Sequence, residues 1–218
     1  MREIQIFCDF DGTITKEDTL NKFLRVYADK RWLDIETRWE KGEIGSRECI
    51  YEQMKLVPSL ECNIVEQFIS EIQLDDYFKE FLYFIKENNI DFYIVSDGFD
   101  FFIKKILEKN GITHIKIFAN KLIYQNNEFT SEFPYTNDKC DIRAGMCKCN
   151  IVKKYRNPKH QLIYIGDGLS DFCVSKMADL IFAKGRLLEY CKKNNNINNS
   201  SLIGFKDFEE ITSYFKKQ

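Results

Sequence analysis

The chain has 218 residues, of which 44% are hydrophobic and 15% aromatic, enough to build one large buried core. Its 32 Lys and Arg against 34 Asp and Glu leave a formal net charge of −2, so the charge balance favours neither nucleic acid nor anionic lipid as a partner. No apolar stretch approaches the roughly 18 residues of a membrane span and no signal peptide precedes the first strand pattern, so we expect a cytoplasmic protein.

The first strand pattern, residues 4–8, runs directly into Asp9-Phe10-Asp11-Gly12-Thr13. A buried strand carries such residues at its carboxyl end, where open α/β sheets hold their ligands. Because side chains two apart in a strand point the same way, Asp9 and Asp11 can enter one cleft and attract Mg2+. One acid could then attack an electrophile while the other moves protons. A solvated turn is the ordinary alternative for Asp and Gly, and the position after a strand favours a catalytic site.

Residues 16–74 follow with helical periodicity and no convincing strand. The helical patterns cover residues 20–27, 32–39, 46–56 and 60–70. An all-helical insertion at this point is best interpreted as a cap over the site, whose docking would exclude water. We therefore expect a helical cap domain at 16–74 and an α/β core domain formed by 1–15 and 75–218.

Beyond the insertion, strand and helix patterns alternate, which predicts a Rossmann-like parallel sheet with right-handed crossovers. The strand patterns, including the first, cover residues 3–9, 91–96, 114–119, 161–166 and 180–183. The helical patterns cover residues 76–87, 100–109, 148–155 and 169–177. Residues 121–133 alternate around Gln125-Asn126-Asn127 and predict a small β-hairpin. The Asn-, Ser- and Lys-rich segment 192–201 predicts a mobile surface loop before a last strand and helix.

Two further strand ends carry polar groups. Ser96-Asp97-Gly98 precedes a helical pattern, so a hydroxyl and backbone N–H groups meet near a helix amino terminus, which suits a phosphate. Asp167 and Asp171 lie in the turn after residues 161–166, and Asp167 would meet Asp9 and Asp11 if the strands are neighbours. Three clustered carboxylates repel one another unless a divalent ion or protons compensate. Taken alone, each of these turns could be a plain helix cap.

Lys148 lies between Cys147 and Cys149 at the start of a helical pattern, where an ammonium could balance phosphate charge. A lone lysine is usually solvent-facing, but polar groups at three strand ends favour a role in the site. Cys140, Cys147 and Cys149 lack the paired Cys-x2-Cys spacing of structural zinc, and we interpret them as reduced thiols. Metal binding and the sensing of oxidation stay open for these three.

These four motifs, in this order, resemble those of haloacid dehalogenase-type phosphatases, and the resemblance covers the whole chain. It implies that Asp9 attacks phosphorus and becomes an aspartyl phosphate. It implies that Asp11 protonates the leaving alcohol and then activates water. The same resemblance implies that Mg2+ is bound by the carboxylates of Asp9 and Asp167 and by the main-chain carbonyl of Asp11, while Asp171 orients Lys148 or metal-bound water.

The phosphoryl group has its own contacts in this family. The resemblance implies that Ser96 and Lys148 hold the phosphoryl oxygens, assisted by the backbone N–H groups of Phe10, Asp97 and Gly98. These roles suit phosphoryl transfer, which mainly needs in-line positioning and neutralisation of charge on the phosphoryl oxygens.

The insertion resembles the first cap class, shared with phosphoserine phosphatases. Residues 6–18, 93–102, 140–148 and 178–184 further resemble the 2-hydroxy-3-keto-5-methylthiopentenyl-1-phosphate phosphatases of methionine salvage. That resemblance implies hydrolysis of a phosphorylated acyclic sugar derivative with a methylthio group. The chain has fewer cysteines before Lys148 than that family, and Asn150 where proline is frequent. Phosphoserine, phosphocholine and pyridoxal phosphate therefore stay open as substrates.

Asp18, Glu43 and Arg47 are the cap residues that could face the substrate, as cap residues of phosphoserine phosphatases do, although charged residues on helices are usually solvated. A receiver-like phospho-switch module is the alternative of another class. Asp11 argues against it, because a switch needs no acid/base to hydrolyse its phosphate quickly, and a helical cap would obstruct docking. We expect a Mg2+-dependent phosphomonoesterase acting on a small phosphorylated metabolite, as a monomer or homodimer.

Overall fold

The computed structural model describes residues 3–140, 142–194 and 201–217. Seven strands form its centre: β1 Ile4–Cys8, β2 Asp91–Phe99, β3 Lys116–Gln125, β4 Glu128–Glu132, β5 Gln161–Gly166, β6 Leu180–Ala183 and β7 Ser201–Gly204. They form one sheet in the order β4-β3-β2-β1-β5-β6-β7, and all neighbours are parallel except β3 and β4. The predicted α/β class with a Rossmann-like parallel sheet is confirmed.

Helices occupy most of the connections between these strands, largely where the sequence predicts helical patterns. They are α1 Thr19–Tyr27, α2 Trp32–Glu40, α3 Ser46–Met54, α4 Cys62–Glu71, α5 Phe78–Glu87, α6 Asp100–Lys109, α7 Lys148–Tyr155, α8 Phe172–Ser175, α9 Gly185–Lys193 and α10 Phe208–Lys216. Within the described ranges, no helix combines the length and the apolar character needed to cross a bilayer.

The central strands are buried on both faces. Ile6 and Cys8 of β1 belong to one apolar cluster, whereas Phe7 between them belongs to a second. Successive side chains of a strand point to opposite faces, so the continuous apolar run of β1 supplies both layers at once. The one polar side chain within β1, Gln5, is buried and donates to Tyr155 O, whereas the acids of the first motif follow the carboxyl end of the strand.

Several elements differ in length from their sequence patterns. β2 continues to Phe99 because its register with β3 shifts between Val95 and Phe99, so Ser96, Asp97 and Gly98 lie within a strand irregularity. The helical pattern at 169–177 splits into a 3-10 turn, Leu169–Asp171, and the short α8. Helix α9, which we did not predict, follows β6.

The predicted β-hairpin is confirmed as β3 and β4, joined at Asn126 and Asn127. Both turn residues have positive φ, 52° and 64°, a conformation that asparagine tolerates better than most residues. The predicted last strand and helix are β7 and α10. Most of the predicted surface loop, residues 195–200, lies outside the described residues.

The helical insertion, α1 to α4, leaves and rejoins the sheet at one place. Thr15 and Leu74 form an isolated antiparallel bridge. On either side of it, Lys16 N donates to Gln73 O at 3.0 Å and Asp75 N donates to Ile14 O at 2.8 Å. These backbone bonds join the two connecting segments into a neck.

An aromatic cluster holds the insertion against the sheet layer. The ring of Phe23 in α1 lies 5.0 Å from that of Phe68 in α4, 4.9 Å from that of Phe102 in α6 and 5.4 Å from that of Phe129 in β4. All but Phe129 are buried in the same apolar cluster as Ile6 of β1. The insertion therefore shares a core with one face of the sheet.

Candidate active site

The three polar strand ends meet because β1, β2 and β5 are adjacent in register. Cys8 pairs with Ile94 on one side and with Ile165 on the other. Asp9, Ser96 and Asp167 follow these three residues by one or two positions. The parallel direction of the strands then brings all three to the same edge of the sheet.

Asp9 is buried and fixed in orientation. Its side chain is 5% exposed, and Oδ1 accepts hydrogen bonds from Phe10 N at 2.8 Å and from Lys148 Nζ at 2.9 Å. Burial and then repulsion by Asp171 raise the pKa of the Asp9 carboxyl well above its usual value, against the opposing charge of Lys148. A further positive charge beside Asp9 would lower this pKa and favour the ionised carboxylate.

Lys148 is held by a second acid, Asp171. Its Nζ lies 2.6 Å from Asp171 Oδ1, and both side chains are buried. Asp171 also accepts from the hydroxyl of Tyr164 and from the backbone N–H groups of Asp167 and Gly168, the last two at 3.0 Å. Burial lowers the pKa of Lys148, but the carboxylates of Asp171 and Asp9 outweigh it, and the pKa lies well above its usual value. The ammonium is therefore permanently charged and fixed in position.

Asp167 lies beside the glycine of the first motif. Its Oδ1 accepts from the hydroxyl of Thr13 at 2.7 Å, and Lys184 Nζ donates to Thr13 O at 3.2 Å. Gly12 has a φ of +71°, and a Cβ there would lie 2.7 Å from Asp167 Oδ2. Burial and then repulsion by Asp171 raise the pKa of Asp167 to about 6. Glycine thus permits both the backbone turn and the close approach of this carboxylate.

Asp11 contacts the second motif. Its Oδ1 accepts from Thr19 N at 3.1 Å and its Oδ2 from the Ser96 hydroxyl at 3.3 Å, and Ser96 Oγ accepts from Gly98 N at 3.0 Å. A Cβ at Gly98 would lie 2.1 Å from Asp11 Oδ2. Burial raises the pKa of Asp11, which favours the protonated form that a general acid requires.

The side chain of Asp97 binds other parts of the protein. Its Oδ1 accepts from Met146 N at 2.8 Å and from Asn120 Nδ2 at 3.1 Å, and the hydroxyl of Ser46 also donates to this carboxylate. Ser46 Oγ in turn accepts from Gly145 N at 3.0 Å. Asp97 therefore connects β2 to β3, to the first turn of α3 and to the segment before α7.

The acids fit a divalent cation. Oxygen atoms of Asp9, Asp167 and Asp171 lie within 4.8 Å of one another, with the single ammonium of Lys148 among them. Carboxylate oxygens are the ligands that Mg2+ prefers, and three acids against one lysine leave negative charge uncompensated. Asp171 already accepts four hydrogen bonds, so Asp9 and Asp167 are the residues with capacity to bind an ion.

A cavity of about 120 Å3 opens above these acids. The sheet contributes polar groups to its lining, and the insertion contributes side chains of mixed character. From the sheet side come Asp9, Asp11, Ser96, Asp97, Gly98, Asp167, Gly168, Leu169 and Ser170. From the insertion come Asp18, Leu20, Asn21, Glu36, Trp39, Ser46, Cys49, Ile50 and Gln53. The site is thus closed from above by helices.

The three candidate cap contacts lie in different places. Asp18 lines the cavity and caps α1 through Asn21 N at 2.8 Å; surrounding protein and then repulsion by Asp11 raise its pKa to about 7. Glu43 and Arg47 are exposed and are absent from the described lining. Glu43 lies 3.8 Å from Arg38, and Arg47 N donates to Arg143 O.

Some residues of the site were not identified from the sequence. Thr13 is part of the first motif, so its contact with Asp167 could have been inferred from its place beside Asp11. Tyr164 has the pattern of an ordinary strand residue. Glu36 and Gln53 carry no sequence signal, because only the packing of α2 against α3 brings them to the cavity.

All eight cysteines are free thiols. Cys140 contacts Cys147, and Cys149 contacts Cys173. Across the described ranges, the three acids above are the one group whose side chains converge as metal ligands, and no cysteine belongs to it.

Comparison with known proteins identifies relatives that are phosphatases. Residues 4–198 match the model of a family described as "Putative Phosphatase". The chain is 30% identical over 215 residues to a 2-hydroxy-3-keto-5-methylthiopentenyl-1-phosphate phosphatase of Bacillus cereus, covering 98% of this chain and 96% of the relative. A protein of the same name from Bacillus thuringiensis is 31% identical over the same coverage.

Solved structures share the fold. A substrate-bound phosphoserine phosphatase complex matches with a TM-score of 0.70 at 22% identity, over 98% of this chain and 99% of that one. A phospho-aspartyl intermediate analogue of phosphoserine phosphatase matches with a TM-score of 0.69 at 23% identity and equal coverage. The chain shares the fold of these phosphoserine phosphatases, and it belongs to the phosphatase family whose model matches residues 4–198.

Proposed function

We propose that this phosphatase is a Mg2+-dependent phosphomonoesterase that works through an aspartyl phosphate on Asp9. The observation that carries the proposal is the buried Asp9 carboxylate, held through one oxygen by Lys148 and Phe10 N at the edge of the cavity. A nucleophile in this position is oriented before the substrate arrives, which phosphoryl transfer requires.

The neighbouring residues divide the remaining tasks. Asp11 would protonate the leaving alcohol and then take a proton from water, a role that its burial supports. Ser96 and Lys148 would hold phosphoryl oxygens, with backbone N–H groups of Phe10, Asp97 and Gly98 assisting. Asp9, Asp167 and the main-chain carbonyl of Asp11 would hold Mg2+, which when bound neutralises phosphate charge. Asp171 positions Lys148.

We assign residues 16–74 to a cap domain and residues 1–15 and 75–218 to the core domain. The neck at Thr15 and Leu74 and the contribution of α1, α2 and α3 to the cavity support this division. A cap of this kind excludes water from the reaction. A cytoplasmic location and a monomeric or homodimeric state stay predictions from the sequence.

For the substrate we propose 2-hydroxy-3-keto-5-methylthiopentenyl-1-phosphate, an intermediate of methionine salvage. Identity of 30% or more to phosphatases named for this compound, over nearly the whole of both chains, supports the assignment. The cavity offers apolar side chains of Leu20, Trp39 and Ile50 to the methylthio end of such a molecule. Phosphoserine, phosphocholine and pyridoxal phosphate are the alternatives.

The reaction class is tested with a generic aryl phosphate. We expect steady hydrolysis in Mg2+, and loss of at least roughly a thousandfold in kcat for Asp9→Asn, because the nucleophile is removed. A chelator should abolish turnover and added Mg2+ should restore it. Asp29→Asn, which neutralises an exposed carboxylate of the insertion far in sequence from Asp9, serves as the control. Phosphorylation of one equivalent without turnover would favour the receiver-like switch instead.

The substrate is tested by comparing kcat/KM across phosphorylated metabolites. The salvage intermediate should exceed phosphoserine, phosphocholine and pyridoxal phosphate by at least roughly tenfold, the discrimination that one or two good contacts supply. A preference of orders of magnitude for any of those three would reject the substrate assignment and leave the reaction class intact.

A further inference from the structure

The part of the cavity that the insertion contributes is acidic. Glu36 of α2 accepts from Gln53 Nε2 of α3 at 2.8 Å, and Cys49 Sγ lies 3.7 Å from the same oxygen. Gln53 is 2% exposed, so its amide holds the Glu36 carboxylate from a buried position. Asp18 at the start of α1 lines the same space. Two carboxylates therefore border the region where the leaving group of a bound phosphate ester would lie.

No cation offsets these two acids within the cavity. Among the described residues that line it, six are acidic and none is Lys, Arg or His. Lys148 lies below, engaged with Asp9 and Asp171. Arg186 is paired with Glu40 at 2.6 Å. The charge around a leaving group is thus negative.

Arg143 lies in a neighbouring space. It lines a second cavity of about 260 Å3, which shares Ser46, Asp97 and Leu169 with the first. Its Nη2 donates to Glu43 O at 3.1 Å, so the guanidinium already has a partner there. Ser46 and Asp97, which are bonded to each other, stand between the two spaces.

We propose that the cavity selects against leaving groups that carry a negative charge, and that Glu36 and Asp18 are the residues that discriminate. This inference rests on the proposed phosphatase function and names the substrate class: phosphate monoesters of uncharged, hydroxylated alcohols. Carboxylate and amide groups of Glu36, Asp18 and Gln53 can hydrogen-bond to leaving-group hydroxyls, whereas a carboxylate on the leaving group would meet like charge from the half-buried Glu36 and the more exposed Asp18.

Glycerol 3-phosphate and 3-phosphoglycerate provide a matched test, because they differ only in a terminal CH2OH against a carboxylate. For the Mg2+-loaded wild-type protein at pH 8, above the pKa of about 7 of Asp18, we expect kcat/KM for glycerol 3-phosphate to exceed that for 3-phosphoglycerate by at least roughly tenfold. Glu36→Gln and Asp18→Asn should each narrow that ratio by about threefold or more, mainly because the carboxylate-bearing substrate binds with a lower KM. The amide introduced by Glu36→Gln can still hydrogen-bond to Gln53, and the amide introduced by Asp18→Asn can still cap α1. Both variants should therefore fold as the wild type does.

Glu48→Gln is the control, because it removes the same charge from an exposed position of α3 outside the cavity; the ratio should not change. A wild-type ratio near one, or a ratio that neither Glu36→Gln nor Asp18→Asn alters, would overturn the inference. So would efficient hydrolysis of 3-phosphoglycerate that Arg143→Gln abolishes, since the second cavity would then bind the carboxylate. Hydrolysis of an aryl phosphate in the same preparations separates these results from failure of the proposed function, which would overturn both.

Discussion

Asp171 illustrates how one buried carboxylate organises the site. It accepts hydrogen bonds from Lys148, Tyr164, Asp167 N and Gly168 N. Four donors satisfy the acceptor capacity of a carboxylate and offset much of the cost of burying it. The same bonds fix the turn after β5, so the position of Lys148 and the geometry of that turn depend on each other.

Asp171→Asn should therefore destabilise the protein and slow catalysis together. Lys148 loses an ionic partner and the amide places an N–H group among donors, so we expect the free energy of unfolding to fall by about 3 kcal/mol. Turnover should fall as Lys148 loses its orientation. Urea denaturation and steady-state kinetics check both effects. Tyr164→Phe, which removes only one donor, should cost about 1 kcal/mol; an equal cost for both variants would contradict this account.

Gly12 and Gly42 provide a matched test of whether a side chain at position 12 would displace the Asp167 carboxylate. Their φ values are +71° and +74°, but a Cβ would contact Asp167 Oδ2 at Gly12 and nothing within 4 Å at Gly42. Both Gly→Ala changes should cost about 1 kcal/mol of stability through backbone strain. Only Gly12→Ala should raise the Mg2+ concentration needed for half-maximal activity. Titration of activity against Mg2+ decides, and equal behaviour of the two variants would exclude the steric explanation.

At the scale of residues, the sequence predicts the positions of site residues that lie next to a strand pattern. Asp9 and Asp167 could be predicted to approach one another because each comes at or just after the end of a strand pattern, whereas Asp171 rather than Asp11 completes the group of converging carboxylates. The bond of Ser46 to Asp97 and the place of Glu36 could not be predicted, because both depend on how helices of the insertion pack on the sheet. Arg47 illustrates the same difficulty, since helical periodicity alone does not say which charged residue of a helix faces a cavity, and Glu43 lies in the connection between α2 and α3.

At the scale of elements, the pairing of strands and the bonds of buried side chains determine where elements begin and end more than helix propensity does. The alternation of patterns was sufficient to predict the sheet, because apolar runs bounded by turns are distinctive. The split of the 169–177 pattern was not predictable, because the bonds of Asp171 to Asp167 N and Gly168 N hold the first turn as a 3-10 turn. The extension of β2 likewise depends on its pairing with β3.

The first turn of α3 is attached to the sheet mainly through Ser46. Ser46→Ala removes a donor from Asp97 and an acceptor from Gly145 N, so we expect a loss of about 2 kcal/mol in the free energy of unfolding. kcat/KM should fall several-fold, because Asp97 and Gly98 border the phosphate site. Denaturation and steady-state kinetics measure both. Ser70→Ala, in an exposed part of α4, should change neither.

For the molecule as a whole, clustered acids make stability depend on pH and on metal. The pKa of Asp167 is raised from 3.8 to about 6, so the folded state binds this proton more tightly than the unfolded state. Stability that is present below about pH 4 should therefore be lost as pH rises through 6 in the metal-free protein. Asp167→Asn has no carboxyl group to ionise at this position, so its stability should not fall in this way as pH rises through 6. Without metal at pH 8, it should be more stable than the wild type.

When Mg2+ is added, the wild type should become more stable than Asp167→Asn. At a thousand times its Kd, a ligand that binds only the folded state adds about 4.1 kcal/mol of stability, which is more than the raised pKa of Asp167 removes. We expect Mg2+ to raise the Tm of the wild type and to leave that of Asp167→Asn nearly unchanged. Asp34→Asn, an exposed change, should keep the wild-type response. Thermal unfolding at fixed pH with and without Mg2+ provides the measurement; an equal shift in all three proteins would place the ion elsewhere.

The neck at Thr15 and Leu74 has a consequence for how such enzymes diversify. Because the chain exits and re-enters at adjacent points, the intervening helices can be exchanged for those of a relative without breaking any strand pairing of the seven-stranded sheet. Asp9, Lys148, Asp167 and Asp171 all lie outside that interval. Selection can thus remodel the recognition surface in one recombination event while the hydrolytic machinery is inherited intact.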